Sequence, residues 1–537
     1  MSPNQQSLAA WIDAHTRAIE PKAFAALDAE WKANTTGRED DQALSARLQA
    51  EYIRHYGSAS DFAELKAFRS QGTPEDPLLA RQLDRLYRAY LGNQMAPKVI
   101  EELVRMQKAL EGTFNNFRAE LNGTPVTDNR IKDILRDETD NGARRAAWEA
   151  SKQIGTRTCA GIRELARRRN IEAKRLGFRD YFAMGLELQE LDETRLFDTF
   201  AKLEQLSDAP FTAWREQLDE SLAKRFGVRP SEVGPWHMAD PFFQEAPPSD
   251  VSLDGYFAEK KLETLAKTHF DGTGMPVDDL LARADLYERD GKCQHAFCMS
   301  IDRRDDVRVL CNLKSNEKWM GTLLHELGHA VYDKYCDRGL PFLLREPAHI
   351  LSTEAIAMLN GRFTHCPEWL EKIVGVPATE ARALGVKLRR HLGREFMLLT
   401  RWVMVMTHFE RDLYADPEGV PDSRWWDYVE RFQKLARPAG RNAPDWASKI
   451  HLAVAPVYYQ NYLLGEMMAS QLARHVSGRV LGSADGALGA LVNRKEVGEY
   501  FVNGLFALGA RHPWEVTLEK CTGEGLNPAH FVAEYAG

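Results

Sequence analysis

The sequence predicts a mainly α protein carrying one small β element. Three observations lead there. Apolar residues recur at spacings of three and four over most of the chain, prolines and glycines fall where those stretches start or stop, and one segment alone reads as paired strands. With 537 residues the chain can bury a large core and form lobes around a cleft, which excludes a small disulfide-stapled module.

The clearest helix is "PLLARQLDRLYRAYLGN", where Leu79, Leu83, Leu86, Tyr87 and Tyr90 form one stripe, Pro77 suits a first turn and Gly92 a stop. The same periodicity predicts helices over roughly residues 97–122, 128–153, 157–176, 192–226, 376–414 and 453–475. "PFFQEAPPSD", residues 241–250, breaks the pattern with prolines and polar residues. It is expected to be an exposed connection between two lobes of a single domain spanning residues 1–537. The strand-like segment is "QHAFCMSIDRRDDVRVLCNL", Gln294 to Leu313, with two β-favouring runs about a charged turn. An edge strand there could bind an extended peptide by backbone pairing; a purely structural hairpin explains the pattern equally well.

Composition removes several function classes. A net charge of −8 gives no basic field for phosphate backbones, so no nucleic-acid partner is expected. No run of 18 apolar residues occurs, and "MSPNQQSLAAWIDAHTRAIEP" lacks a basic start followed by an apolar core. A cytoplasmic protein without a membrane partner is expected. Seven cysteines, an odd number, suit a reducing compartment better than a disulfide framework, Cys293 with Cys311 being the one pairing considered. Asn34-Thr35-Thr36 matches a glycosylation acceptor by chance in that setting.

The chemistry lies in "TLLHELGHAVYDKY", Thr322 to Tyr335. On a helix, positions i and i+4 share a face, so His325 and His329 can aim imidazole nitrogens at one ion. Glu326 is turned aside by about 100° and can reach a metal-bound water without coordinating the metal, with Gly328 keeping that face open. Zinc lowers the pKa of its water and a carboxylate can take the proton as a carbonyl is attacked. A surface helix with solvated histidines is the plain alternative. A catalytic zinc usually has three protein ligands. Tyr332 and Tyr335 stand where a metzincin extension would need glycine and histidine. Glu346, His349 and Glu354 in "REPAHILSTEAIAML" therefore remain as candidates for the third.

The run "HELGHAVYDKY…LP…LREPAHILSTEAIAM" resembles the zinc helix and following glutamate helix of the angiotensin-converting-enzyme family and its relatives, the thimet oligopeptidases and oligoendopeptidases F. "LDAEWKANTTG", "SRWWDYVERFQKL", "SKIHLAVAPVYYQNY" and "RHPWEVTLEKCTG" resemble further stretches of converting-enzyme-like sequences, so the likeness covers most of the chain. It implies a two-lobed helical ellipsoid with a deep central channel, one zinc ion per chain held by His325, His329 and Glu354, and Glu326 as general base then acid. It also implies hydrolysis of short peptides. Lys449 would hold a substrate C-terminal carboxylate with Tyr459, His451 and Tyr462 would stabilise the oxyanion, and His295 with Ala296 in "HAF" would touch the substrate backbone. Fixed donors beside a metal are commonly worth several kcal/mol to such an oxyanion. Taken alone, Lys449 would be a solvated lysine, the tyrosines core aromatics, and His295 a structural residue or part of a second metal site.

Three departures from the family pattern bear on these assignments. The His451–Tyr462 spacing is one residue longer, so Tyr458 and Tyr459 compete for the first tyrosine's role. Met358 replaces an aspartate that supports a ligand histidine, and the glutamine that helps bind the carboxylate has no match. The expectation is a monomer or weak homodimer releasing C-terminal dipeptides. An internal-cutting oligopeptidase, a noncatalytic peptide binder and a hydrolase of nonpeptide amides are the alternatives.

Overall fold

A computed structural model describes residues 3–246, 251–483 and 486–536. It is 71% helical, with two small antiparallel two-stranded sheets, so the mainly α expectation is met. The helix Pro77–Gly92 has the predicted ends, and Asp76 caps it by accepting the Leu78 and Leu79 backbone N–H groups at 2.8 and 3.4 Å.

Other boundaries differ from the periodic reading. The stretch 97–122 is a helix only over Pro97–Asn116; a hairpin follows, Ala119–Leu121 paired with Thr124–Val126. Its turn is Asn122-Gly123, both at positive φ (52° and 75°), the backbone that this dipeptide tolerates best. Residues 128–153 are split after Asp137, and a single 35-residue helix, Asn141–Arg175, begins where Asp140 caps the Ala143 N–H. The last predicted helix begins at Tyr459 rather than 453, because Val457 turns the chain at φ 53°.

The chain divides into two compact units: Met1–Gln94, Asp250–Arg389 and Leu464–Phe531 form the first, and Met95–Ser249, Arg390–Leu463 and Val532–Gly537 the second. In the first, the helix Glu317–Tyr335 is central. It packs against Leu262–Gly272, Ile350–Gly361 and the hairpin Phe297–Ser300/Val307–Leu310. Met320, Leu323, Leu324 and Leu327 on it are fully buried. In the second, Asn141–Arg175 is the main scaffold. It holds the segment 444–453: a Cβ at Gly155 would lie 2.4 Å from Pro444 O, Thr158 Oγ1 donates to Ala447 O at 2.7 Å, and Arg169 donates to Ala453 O at 2.6 Å.

The stretch expected to be an exposed connection is partly packed. Phe243 is buried, and the buried Asp240 carboxylate accepts the backbone N–H groups of Phe242, Gln244 and Glu245 at 2.8, 3.0 and 3.0 Å; residues 247–250 lie outside the described residues. All seven cysteines are free thiols, so Cys293 and Cys311 are not bridged. Among the described residues no helix is long and apolar enough to cross a membrane.

Candidate metal centre and substrate-binding residues

The helix Glu317–Tyr335 starts cleanly: Asn316 accepts the Trp319 N–H at 2.9 Å, Glu317 lies in the positive first turn and Lys334 in the negative last turn. Its apolar face is buried, which fixes the opposite rotation of His325 and His329. Their rings lie 4.9 Å apart at 83°. Glu354 comes from the next helix, Ile350–Gly361, and its Oε2 lies 3.6 Å from His325 Nε2 and 3.8 Å from His329 Nε2. One ligand atom from each residue falls within 4.8 Å of the other two.

The two helices approach closely because of Gly328. A Cβ there would lie 2.8 Å from Ala357 Cα and 3.0 Å from Ile356 O. This corrects the expectation that Gly328 keeps a face open: the glycine is covered, and its missing side chain lets the glutamate helix come near.

The other two third-ligand candidates are engaged elsewhere. Glu346 is ion-paired with Arg85 and, at 2.8 Å, with Arg303. His349 caps the helix Ile350–Gly361, its Nδ1 accepting the Leu351 N–H at 3.0 Å. The support lost at Met358 is found at Thr353. His329 Nδ1 is 2.7 Å from Thr353 Oγ1, so with Nε2 kept for an ion, Nδ1–H donates to the hydroxyl.

Electrostatics suit a cation here. Burial lowers His325 to about 4, and burial with the neighbouring His325 lowers His329 to about 3, so both rings offer lone pairs at neutral pH. Burial and then the charge of Glu466 raise Glu354. Glu326, buried beside them, is pushed up to about 8 by burial and by Glu354. Two neutral imidazoles and a carboxylate, short of positive charge, fit a zinc ion with one position left open.

His295 and Ala296 lie in the same unit, just before the strand Phe297–Ser300 that packs on the HELGH helix. His295 is exposed. Phe297–Ser300 pairs with Val307–Leu310, and the far side of the latter is bridged to Asp285. Among the described residues no strand covers the outer edge of Phe297–Ser300.

Lys449, His451, Tyr459 and Tyr462 all belong to the second unit. Lys449 Nζ donates to Gln244 Oε1 at 2.9 Å and lies over the rings of Phe242 and Trp402 at 5.3 and 5.1 Å. Burial lowers its ammonium to about 8. Sequence reasoning missed Gln244. Its side-chain carbonyl accepts from Lys449, and the Asp240 turn fixes its backbone. Tyr459 is buried and packs on His451 at 5.1 Å and on Trp402 at 6.2 Å; Tyr458 is more exposed and stands against Tyr462 at 5.4 Å. Tyr459, not Tyr458, is therefore the tyrosine on the Lys449 side. His451 is held neutral by burial, near 4, with its Nδ1 buried and unpartnered among the described residues.

The donor set has the composition of a hydrolytic zinc centre. Residues 278–536, which include HELGH and Glu354, match the family model described as Peptidase family M3, and this supports a metallopeptidase. The chain is also similar to "Inactive angiotensin-converting enzyme-related protein" of Caenorhabditis elegans, at 20% identity over 319 residues, 56% of this chain and 34% of that protein. The chain spans about a third of the length of this curated relative.

Proposed function

We propose that this chain is a zinc-dependent peptidase that hydrolyses short peptides and releases C-terminal dipeptides. The observation that carries the reading is the convergence of His325, His329 and Glu354 with buried Glu326 on the same helix as the two histidines. A zinc ion held by the three would polarise water and the scissile carbonyl. Glu326, on the same helix as the two histidine ligands, takes the proton of the attacking water and delivers it to the leaving amine. His451 and Tyr462 donate to the developing oxyanion. Lys449 and Gln244, with Tyr459, bind the C-terminal carboxylate, the glutamine presenting its amide once its carbonyl releases the ammonium. His295 and Ala296, beside the uncovered strand edge, pair with the substrate backbone.

The name of the nematode relative favours a second reading, a noncatalytic peptide binder, and the retained Glu326 speaks against it. The test is product analysis by mass spectrometry on one peptide with a free and with an amidated C-terminus. Serial dipeptide release from the free form and at least tenfold slower cleavage of the amide is expected, the difference shrinking in Lys449→Ala. Equal cleavage of both at internal bonds would show an oligopeptidase, and no cleavage by zinc-loaded protein would leave the binder.

A further inference from the structure

We propose that the first unit carries a second, independent site, for a small molecule bearing phosphoryl or carboxylate oxyanions. It is a cavity of about 540 Å³, of the size that holds small ligands, lined by Arg474, His475, Arg479, Thr522, Glu524 and His530 together with four small residues. It is built from the end of the helix Tyr459–His475, the wider turn Val476–Val480 and the C-terminal end of Trp514–Thr522.

Charge identifies the ligand class. Arg494 and Arg511 in the same unit are ion-paired, to Glu496 and Asp337, but among the described residues neither Arg474 nor Arg479 has a carboxylate partner. Among the described residues Glu524 is the one acid in the lining, and it is held by His530, 2.6 Å from Nε2. The one described carboxylate is thus held by an imidazole rather than by an arginine, and two guanidinium groups without a carboxylate partner face a concave space. His475 faces Arg479 and His530 as well as Glu524, adding a ring that can donate. Two guanidinium forks converging on one space are suited to planar or tetrahedral oxyanions, bound through paired N–H donors.

The small residues complete the cradle. Gly478, Gly486 and Gly523 line it, the last two at positive φ (63° and 81°), so backbone replaces side chains at the wall. A Cβ at Gly486 would lie 3.0 Å from Arg474 Cγ, and glycine there lets the arginine stem lie flat against the loop. Among the described residues no phenyl or indole ring lines the cavity, which disfavours a nucleobase and favours a compact polar body. None of these residues belongs to the zinc or carboxylate-binding sets.

The test is isothermal titration of the full-length, zinc-loaded protein at constant ionic strength with inorganic phosphate and, separately, with tricarballylate. At least one anion should bind, and Arg474→Ala/Arg479→Ala should weaken it about tenfold or more, with Arg474→Lys/Arg479→Lys intermediate. Preference for phosphate assigns a phosphoryl ligand; preference for tricarballylate assigns a carboxylate. Both arginines are exposed, so the variants should fold, and unchanged peptide hydrolysis with a free C-terminus checks that they do. Absence of binding by the wild type, or equal binding by the double alanine variant, overturns the proposal. The second outcome would place the anion elsewhere, and it leaves the peptidase reading untouched.

Discussion

In the proposed mechanism Glu326 moves a proton while Thr353, 2.7 Å from His329 Nδ1, orients a ligand, and single substitutions separate the two roles. Glu326→Gln keeps the three ligating side chains but cannot accept a proton. Zinc content should stay near one per chain while hydrolysis falls about 10²- to 10⁴-fold. A zinc-loaded glutamine variant with full activity would remove Glu326 from its role. Thr353→Ala deletes the acceptor of His329 Nδ1–H, at 2.7 Å, and should weaken zinc binding about 10- to 100-fold in competition with a chelator, with Thr353→Ser close to wild type. Equal affinity of the alanine variant would show that the hydroxyl does not orient the ring. The histidine pair was legible because i, i+4 spacing is itself geometry. Thr353 was not, since a hydroxyl next to a ligand in sequence has no signature until the facing helix is placed. Gln244 was hidden for a simpler reason: it meets Lys449 across 205 residues, and nothing local marks such a contact.

At the level of elements, periodicity located most helices, and failed where a turn signal interrupts an apolar run. The Asn122-Gly123 hairpin is such a case, and its dipeptide could have been recognised; the cap at Asp140 is another. The second hairpin was readable because its charged turn stands out, and Asp302 builds that turn by accepting the N–H groups of Arg304, Asp305 and Asp306 at 2.8, 3.0 and 3.0 Å. What periodicity cannot give is the distance between helices, and Gly328 sets it here. Ala at a helical glycine normally gains about 1 kcal/mol. At Gly328 the added Cβ meets backbone at 2.8 Å, so the helices must separate and Glu354 must withdraw from the histidines. Gly328→Ala is therefore expected to lower stability in urea by about 1–3 kcal/mol and to weaken zinc binding. A stabilised variant with unchanged zinc affinity would mean that the helix spacing is set elsewhere.

Over the whole molecule, buried ionisable groups pull stability in opposite directions with pH. Burial raises Glu410 to about 8 and Asp219 to about 6; such groups favour the folded state at low pH and lose that contribution as pH rises through those values. Buried histidines act the other way, and His269 shows why. Asn360 Nδ2 donates to Ile356 O at 2.8 Å, so its Oδ1 faces His269 Nε2 at 3.0 Å and requires a hydrogen there. Trp369 Nε1–H donates to His269 Nδ1 at 3.2 Å, which requires a lone pair there. The neutral ring satisfies both, and a second proton would break the tryptophan bond inside a fully desolvated site. Burial accordingly lowers His269 to about 4 from an ordinary value of 6.5. Its folded value is depressed, so its full contribution is present above the unfolded value and is lost as pH falls towards the folded one. From pH 7 to pH 5 that loss is about 2 kcal/mol. His269→Gln removes the titration but not the carboxylates, whose effects cancel in the difference. The wild type should exceed the variant in urea stability at pH 7, and the gap should close by about 2 kcal/mol at pH 5. A gap that stays constant across that window would mean that His269 takes up its proton as readily in the folded state as in the unfolded one, and a gap that widens would mean that it is already protonated there, both contrary to its two hydrogen bonds.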